Sequence, residues 1–150
     1  MSKPLDLYRY AEAQDIDVDW FPLQHTPSFS VKMPNGSCCI ALDPWKLSTL
    51  AEETVCLAHE LGHCETGSFY SPYTKFDVIR KHETRADKWA IRRLVPAEAL
   101  DQAVASGYTE IWQLAEVFGV TEDFMKKTMC FYAHGNTNYE LYFNREGSVR

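Results

Sequence analysis

The run His59-Glu60-Leu61-Gly62-His63 constrains this chain more than any other feature. Residues four apart on an α-helix lie one above the other, about 6 Å along the axis. Two imidazoles so placed converge on one metal ion, and Glu60 beside the first reaches a water held there as a general base. The segment must therefore be helical, with one face in a core and the other left for chemistry. A chance run of this kind on a solvated helix would also set its polar residues opposite the core, so the rest of the chain has to complete the site.

A helix from about 48 to 64 satisfies the first demand. Thr49 and Glu52 form a capping box, and Gly67 lies just past the end. Leu50, Thr54, Leu57, Ala58, Leu61 and Gly62 share one arc, flanked by Ala51 and Val55. His59, His63, Glu60, Glu52 and Cys56 fall on the other side. Cys56 is one turn from His59 but about 10 Å along the axis from His63, too far for one ion to bridge. It reads as an inert thiol lining the pocket, and Cys64 as structural.

A catalytic zinc needs a third protein ligand and leaves one position open. A second helix, from about 76 to 95 and stopped by Pro96, carries an inward stripe of Ile79, Glu83, Ala86, Ala90 and Leu94. A carboxylate at Glu83 needs a metal or a cation such as Arg80 or Arg85 to offset its desolvation. The alanines let two helices approach closely. His82, on a different stripe with Trp89 and Arg93, is the rival ligand; His25 and His134 carry no spacing signal.

With 150 residues the chain is the size of one domain, and its 45% hydrophobic and 24% charged content is ordinary for a soluble protein. A net charge of -6 argues against phosphate binding as its main task, since the basic pairs Arg92-Arg93 and Lys126-Lys127 are short. No apolar run approaches a membrane span, and the first residues, MSKPLDLYRYAEAQ, hold no apolar secretory core. The five cysteines are odd in number and lack C-x-x-C spacing, which predicts reduced thiols and a cytoplasmic setting.

Around the two long helices the pattern predicts a short helix over 4–14 with Leu5, Tyr8 and Ala11 inward. A strand over 16–23 follows, with Ile16, Val18, Trp20 and Pro22 on one face. A hairpin over 28–43 turns at Pro34-Asn35-Gly36. Helices over 97–105, 109–118 and 121–133 come next, then a tail whose Tyr139 to Phe143 forms a strand or a docked arm. No repeat or linker appears, so a single domain over 1–150 is expected.

The run VCLAHELGH from Val55 to His63, then ETRADKWA from Glu83 to Ala90 and Leu94-Val95-Pro96, resembles the ImmA/IrrE family of zinc metallopeptidases. That family's pattern is an A-H-E-l-x-H helix followed by an E-x-x-A-x-x-F-A helix and Pro, and the likeness covers roughly residues 5 to 133. Trp89 stands for the usual Phe, Arg93 for a leucine and Val55-Cys56 for Phe-Thr; none removes a catalytic group. The resemblance implies zinc (Zn2+) bound by His59, His63 and Glu83, with Glu60 as the catalytic base. The implied fold class is α+β: a zincin-like minimal metallopeptidase whose small N-terminal sheet and hairpin pack on the active-site helix, followed by a mainly helical C-terminal half. Members are typically encoded on prophages and other mobile elements beside helix-turn-helix repressors that some of them cleave.

The implied function is therefore peptide-bond hydrolysis on a protein substrate, a helix-turn-helix repressor. Tyr70, Tyr73 and His82 are candidate oxyanion donors, and the hairpin offers an edge strand on which a peptide docks. The competing class is a non-enzymatic zinc-containing regulatory module that binds a helix-turn-helix transcription factor. Residues 109–133 themselves resemble a helix-turn-helix, with Leu114-Ala115 and Phe118-Gly119-Val120 at core and turn positions. Glu110, Glu116, Glu122 and Asp123 outnumber Lys126 and Lys127 there, so scaffold is the better reading than direct nucleic-acid binding.

Overall fold

The computed structural model describes residues 3–143. These are α1 (Lys3–Ala13), β1 (Asp17–Trp20), β2 (Ser28–Lys32), β3 (Cys38–Leu42), α2 (Leu50–Thr66), α3 (Phe76–Leu94), α4 (Ala97–Ala105), α5 (Ile111–Phe118) and α6 (Glu122–His134), then a 3-10 turn at Tyr139–Leu141. The class is α+β, with one small sheet among the described residues. Two compact units divide between Ala90 and Ile91. No described helix is long and apolar enough to cross a membrane.

In the first unit the strand order is β1-β3-β2, with β1 parallel and β2 antiparallel to β3. Gly36 takes φ +90° in the hairpin loop, where Met33 and Ser37 close the turn with a backbone hydrogen bond of 2.7 Å. Helix α2 packs on β2, β3 and α1. Its ends are built by local chemistry. Thr49 accepts a hydrogen bond from the Glu52 N–H, Glu52 accepts one from the Ser48 N–H, and Gly67 ends the helix at φ +66°. Thr54, Leu57, Ala58, Leu61 and Gly62 are buried as the periodicity predicts, but Leu50, the first residue of the helix, is 64% exposed.

Two faces are rotated from expectation. In α1 the buried positions are Pro4, Leu7 and Ala11, while Leu5 is 42% exposed. Ile16, just before β1, is buried, but Trp20 is 62% exposed and donates its indole N–H to the Tyr8 hydroxyl, which in turn donates to Glu53. Amphipathic residues can satisfy a polar tip without burying the ring.

The cysteine expectation is corrected. Cys38 at the start of β3 and Cys64 at the end of α2 form a disulfide across 26 positions. Parity and C-x-x-C spacing report local pairs only, whereas this pair is brought together by strand-on-helix packing. The cysteine argument for a cytoplasmic setting falls with it. Cys39, Cys56 and Cys130 are free thiols.

In the second unit α4 packs on α5 and α5 on α6. Gly119 at φ +66° and the Thr121 cap on the Phe124 N–H make the turn between α5 and α6. Leu114, Ala115, Phe118, Val120, Phe124 and Met125 are buried, and Glu110, Glu116, Glu122 and Asp123 are exposed. Tyr139–Leu141 form a 3-10 turn against α6, with Phe143 buried, so the segment is a docked arm and not a strand; the rest of the tail, residues 144–150, lies outside the described residues.

Helices α2 and α3 come together closely at Gly62 and Ala86. A Cβ on Gly62 would lie 2.5 Å from the Ala86 carbonyl oxygen, with Ala86 itself fully buried. Helix propensity favours Ala over Gly by about 1 kcal/mol, but backbone cannot yield as a side chain can. Gly62→Ala is therefore expected to destabilise the fold by about 1–3 kcal/mol and to weaken metal binding, read by thermal unfolding and metal titration. Replacing Cys38 and Cys64 by Ser, or reducing them, is expected to cost about 2–4 kcal/mol in urea unfolding; an unchanged midpoint would remove the disulfide as a stabilising tie.

Candidate metal centre

The site is built from one turn of α2 and one turn of α3. His59 and His63 sit a turn apart, and their Nε2 atoms come within 3.1 Å. Glu83 on α3 meets both: one carboxylate oxygen is 2.8 Å from His59 Nε2, the other 3.2 Å from His63 Nε2. A tetrahedral ion with bonds of about 2 Å holds its ligand atoms about 3.3 Å apart, so these separations suit one ion at the centre. Among the described residues, His59, His63 and Glu83 form the one cluster able to hold a metal.

The far side of each imidazole fixes its tautomer. His63 Nδ1 faces the Ser68 carbonyl, which can only accept, so Nδ1 carries the proton and Nε2 offers its lone pair. The left-handed Gly67 turns the chain so that Ser68 comes back over His63, and Ser68 is fully buried there. His59 Nδ1 lies 2.8 Å from the Asp87 carboxylate, one turn past Glu83 on α3. Such partners orient metal-binding imidazoles and raise their basicity.

Asp87 was missed in the sequence reading, although its spacing of four from Glu83 was the available signal. The assignment of Glu83 to an inward position is corrected in part. Its side chain is 36% exposed at the edge of an open cleft, and its bonds to His59 and Tyr70 hold it there. His82 stands outside the cluster, stacked on Tyr70 at 6.2 Å, its Nδ1 buried without a hydrogen-bond partner among the described residues. Cys56 also lies outside the cluster, its thiol pushed up by burial.

The carboxylates govern the protons. Burial opposes charge on His59, but hydrogen bonds to Asp87 and Glu83 overcome it and push the imidazole up to about 10. Burial also works against ionised Glu83, yet His59, His63 and Tyr70 together hold it well below the usual carboxylate range. The Tyr70 hydroxyl, raised to about 12 by burial and by Glu83, donates to that carboxylate at 2.6 Å.

A cleft of about 490 Å³ opens over this cluster. Glu60, His59, His63 and Tyr70 line it, together with Ser28 and Ser30 of β2. Glu60 is buried and accepts from both serine hydroxyls, Ser28 at 2.8 Å and Ser30 at 2.9 Å. Tyr73, the other tyrosine considered as an oxyanion donor, is 96% exposed and does not line the cleft. His25 is exposed, and His134 stacks on Tyr142 at 3.9 Å in the second unit.

A family model described as the IrrE N-terminal-like domain, Peptidase_M78, matches residues 11–129. No curated protein and no solved structure matches. An ion at this centre must displace the proton that His59 holds in the metal-free protein at neutral pH. Zinc titrated calorimetrically at pH 7 in buffers of differing ionisation enthalpy is expected to release about one proton, and to bind more tightly as pH rises toward the His59 value. Buffer-independent heat would show that His59 is already neutral.

Proposed function

The chain belongs to the Peptidase_M78 family, and from that premise we propose that it is a zinc-dependent metalloendopeptidase with a zincin-like site. His59, His63 and Glu83 hold the metal, and Glu60 is the catalytic base. The observation that carries this reading is the convergence of three donor atoms beside a buried carboxylate in an open cleft. The match from 11 to 129 crosses the division at Ala90, which supports one peptidase domain rather than two separate functions.

A bound zinc ion supplies Lewis acidity, lowering the pKa of water and polarising a carbonyl. Glu60 takes the proton of the attacking water and returns it to the leaving amine. Asp87 and the Ser68 carbonyl keep both imidazoles turned toward the centre. Tyr70, the tyrosine that lines the cleft, is placed to donate to a developing oxyanion once a substrate competes with Glu83 for its hydroxyl.

Strand β2 is an edge of the sheet, so its outer backbone groups are open to an extended peptide. Phe29 and Val31 on it, and Met33 just past its end, are exposed and offer apolar contact to alternate substrate side chains. We take the substrate to be a helix-turn-helix repressor of a prophage or other mobile element, as the family resemblance suggests; that substrate implies action in the cytoplasm. The exposed acidic residues of α5 and α6 support a protein partner over nucleic acid.

Glu60→Gln is the deciding variant. It is expected to lower the turnover of a cleaved repressor by about 10²–10⁴-fold while metal content stays at the wild-type level. Intact mass of the repressor after incubation separates the alternatives: two fragments support the peptidase, and a stable complex with uncut repressor supports the non-enzymatic regulatory module.

A further inference from the structure

Strand β2 places hydroxyls where a core strand ordinarily places aliphatic side chains. Ser28 and Ser30 pair across the sheet with Leu42 and Ile40, both almost fully buried, and so share their face. Serine is a poor strand former, and a buried hydroxyl is costly unless bonded. Both hydroxyls are bonded, to one side chain. Ser28 donates to Glu60 Oε2 at 2.8 Å and Ser30 to Glu60 Oε1 at 2.9 Å.

The pairing is specific in what it leaves free. Each carboxylate oxygen accepts in about two directions; each serine takes one and leaves the other. With both oxygens held, the carboxylate plane cannot turn about its terminal torsion. A base fixed before substrate arrives need not be ordered during turnover. Helix α2 alone fixes where Glu60 starts, but not how its carboxylate is turned.

We propose that Ser28 and Ser30 are positioning residues that hold the Glu60 carboxylate in the orientation for proton transfer, so that strand β2 sets the geometry of the base. This rests on the reading of Glu60 as the base. It also ties two tasks to one strand, since the edge of β2 open to an extended peptide belongs to the strand whose inner face holds the base.

The test uses the zinc-loaded full chain and a quenched fluorogenic peptide library, then the best-cleaved peptide from it. Ser28→Ala with Ser30→Ala is expected to lower kcat by 10-fold or more, with KM and zinc stoichiometry unchanged. Ser30→Ala alone, at the less buried position, gives a smaller loss and serves if the double variant does not fold. Ser30→Thr, which keeps the hydroxyl, restores the rate. A readout independent of activity comes from the metal-free protein. Infrared difference spectra against Glu60→Gln isolate the Glu60 carboxylate band, and loss of the serine hydroxyls is expected to shift it.

An unmoved band overturns the proposal, because the hydroxyls then do not hold Glu60. A shifted band with unchanged kcat also overturns it, since the bonds would be structural only. A wild-type protein that cleaves nothing in the library or the repressor overturns the peptidase reading and the positioning role together. An active wild type with unaffected serine variants overturns the positioning role alone.

Discussion

Gly62 and Ala86 meet with no space for a methyl group, and the metal centre depends on that approach. The candidate ligands come from both helices: His59 and His63 from α2, Glu83 from α3, each on the turn next to the contact. The Glu83 oxygens stand about 3 Å from the imidazole nitrogens. An added ångström between the helix axes would leave a carboxylate too far to share an ion with them. Small residues at the crossing set the spacing, so packing and coordination are one constraint.

The same closeness explains the electrostatics. Asp87 and Glu83 flank His59 on its two ring nitrogens, so the metal-free site keeps a proton where an ion would sit. That proton partly offsets two carboxylates that a buried histidine pair could not otherwise hold side by side. A doubly charged ion would answer the same excess of negative charge more fully, and more readily as rising pH removes the His59 proton.

Local signals in the sequence were strong and long-range ones were weak. The ends of α2 were legible because Thr49, Glu52 and Gly67 act within a turn of where they stand. The convergence of Glu83 on the histidines was legible from two helical periodicities, although the desolvation argument for it was not, because the cleft leaves that carboxylate partly open. Periodicity shows that a helix has a covered face without always showing which residues form it, so Leu5 and Leu50 were misplaced. Asp87 could have been found by counting one turn from Glu83. Ser28, Ser30 and the Cys38–Cys64 pair could not, since each depends on strand-on-helix packing between residues more than two dozen positions apart.

Those last three features share one location. Ser28 and Ser30 tie β2 to Glu60, and Cys38, at the β3 position opposite Lys32, ties the same hairpin to Cys64 beside His63. The hairpin is thus held to α2 at two points, one at Glu60 and one just after His63. A two-stranded ribbon alone is marginal in water, so its position over the cleft comes from these ties and from β1. A hydrogen-bond tie responds to its immediate partners, whereas a covalent one does not. The covalent tie sits at the far end of the hairpin from Ser28, where it limits swing without touching the carboxylate. The Glu60 carboxylate is then held by weak bonds whose geometry is adjustable, while the strand that presents them is kept in register by a stronger one.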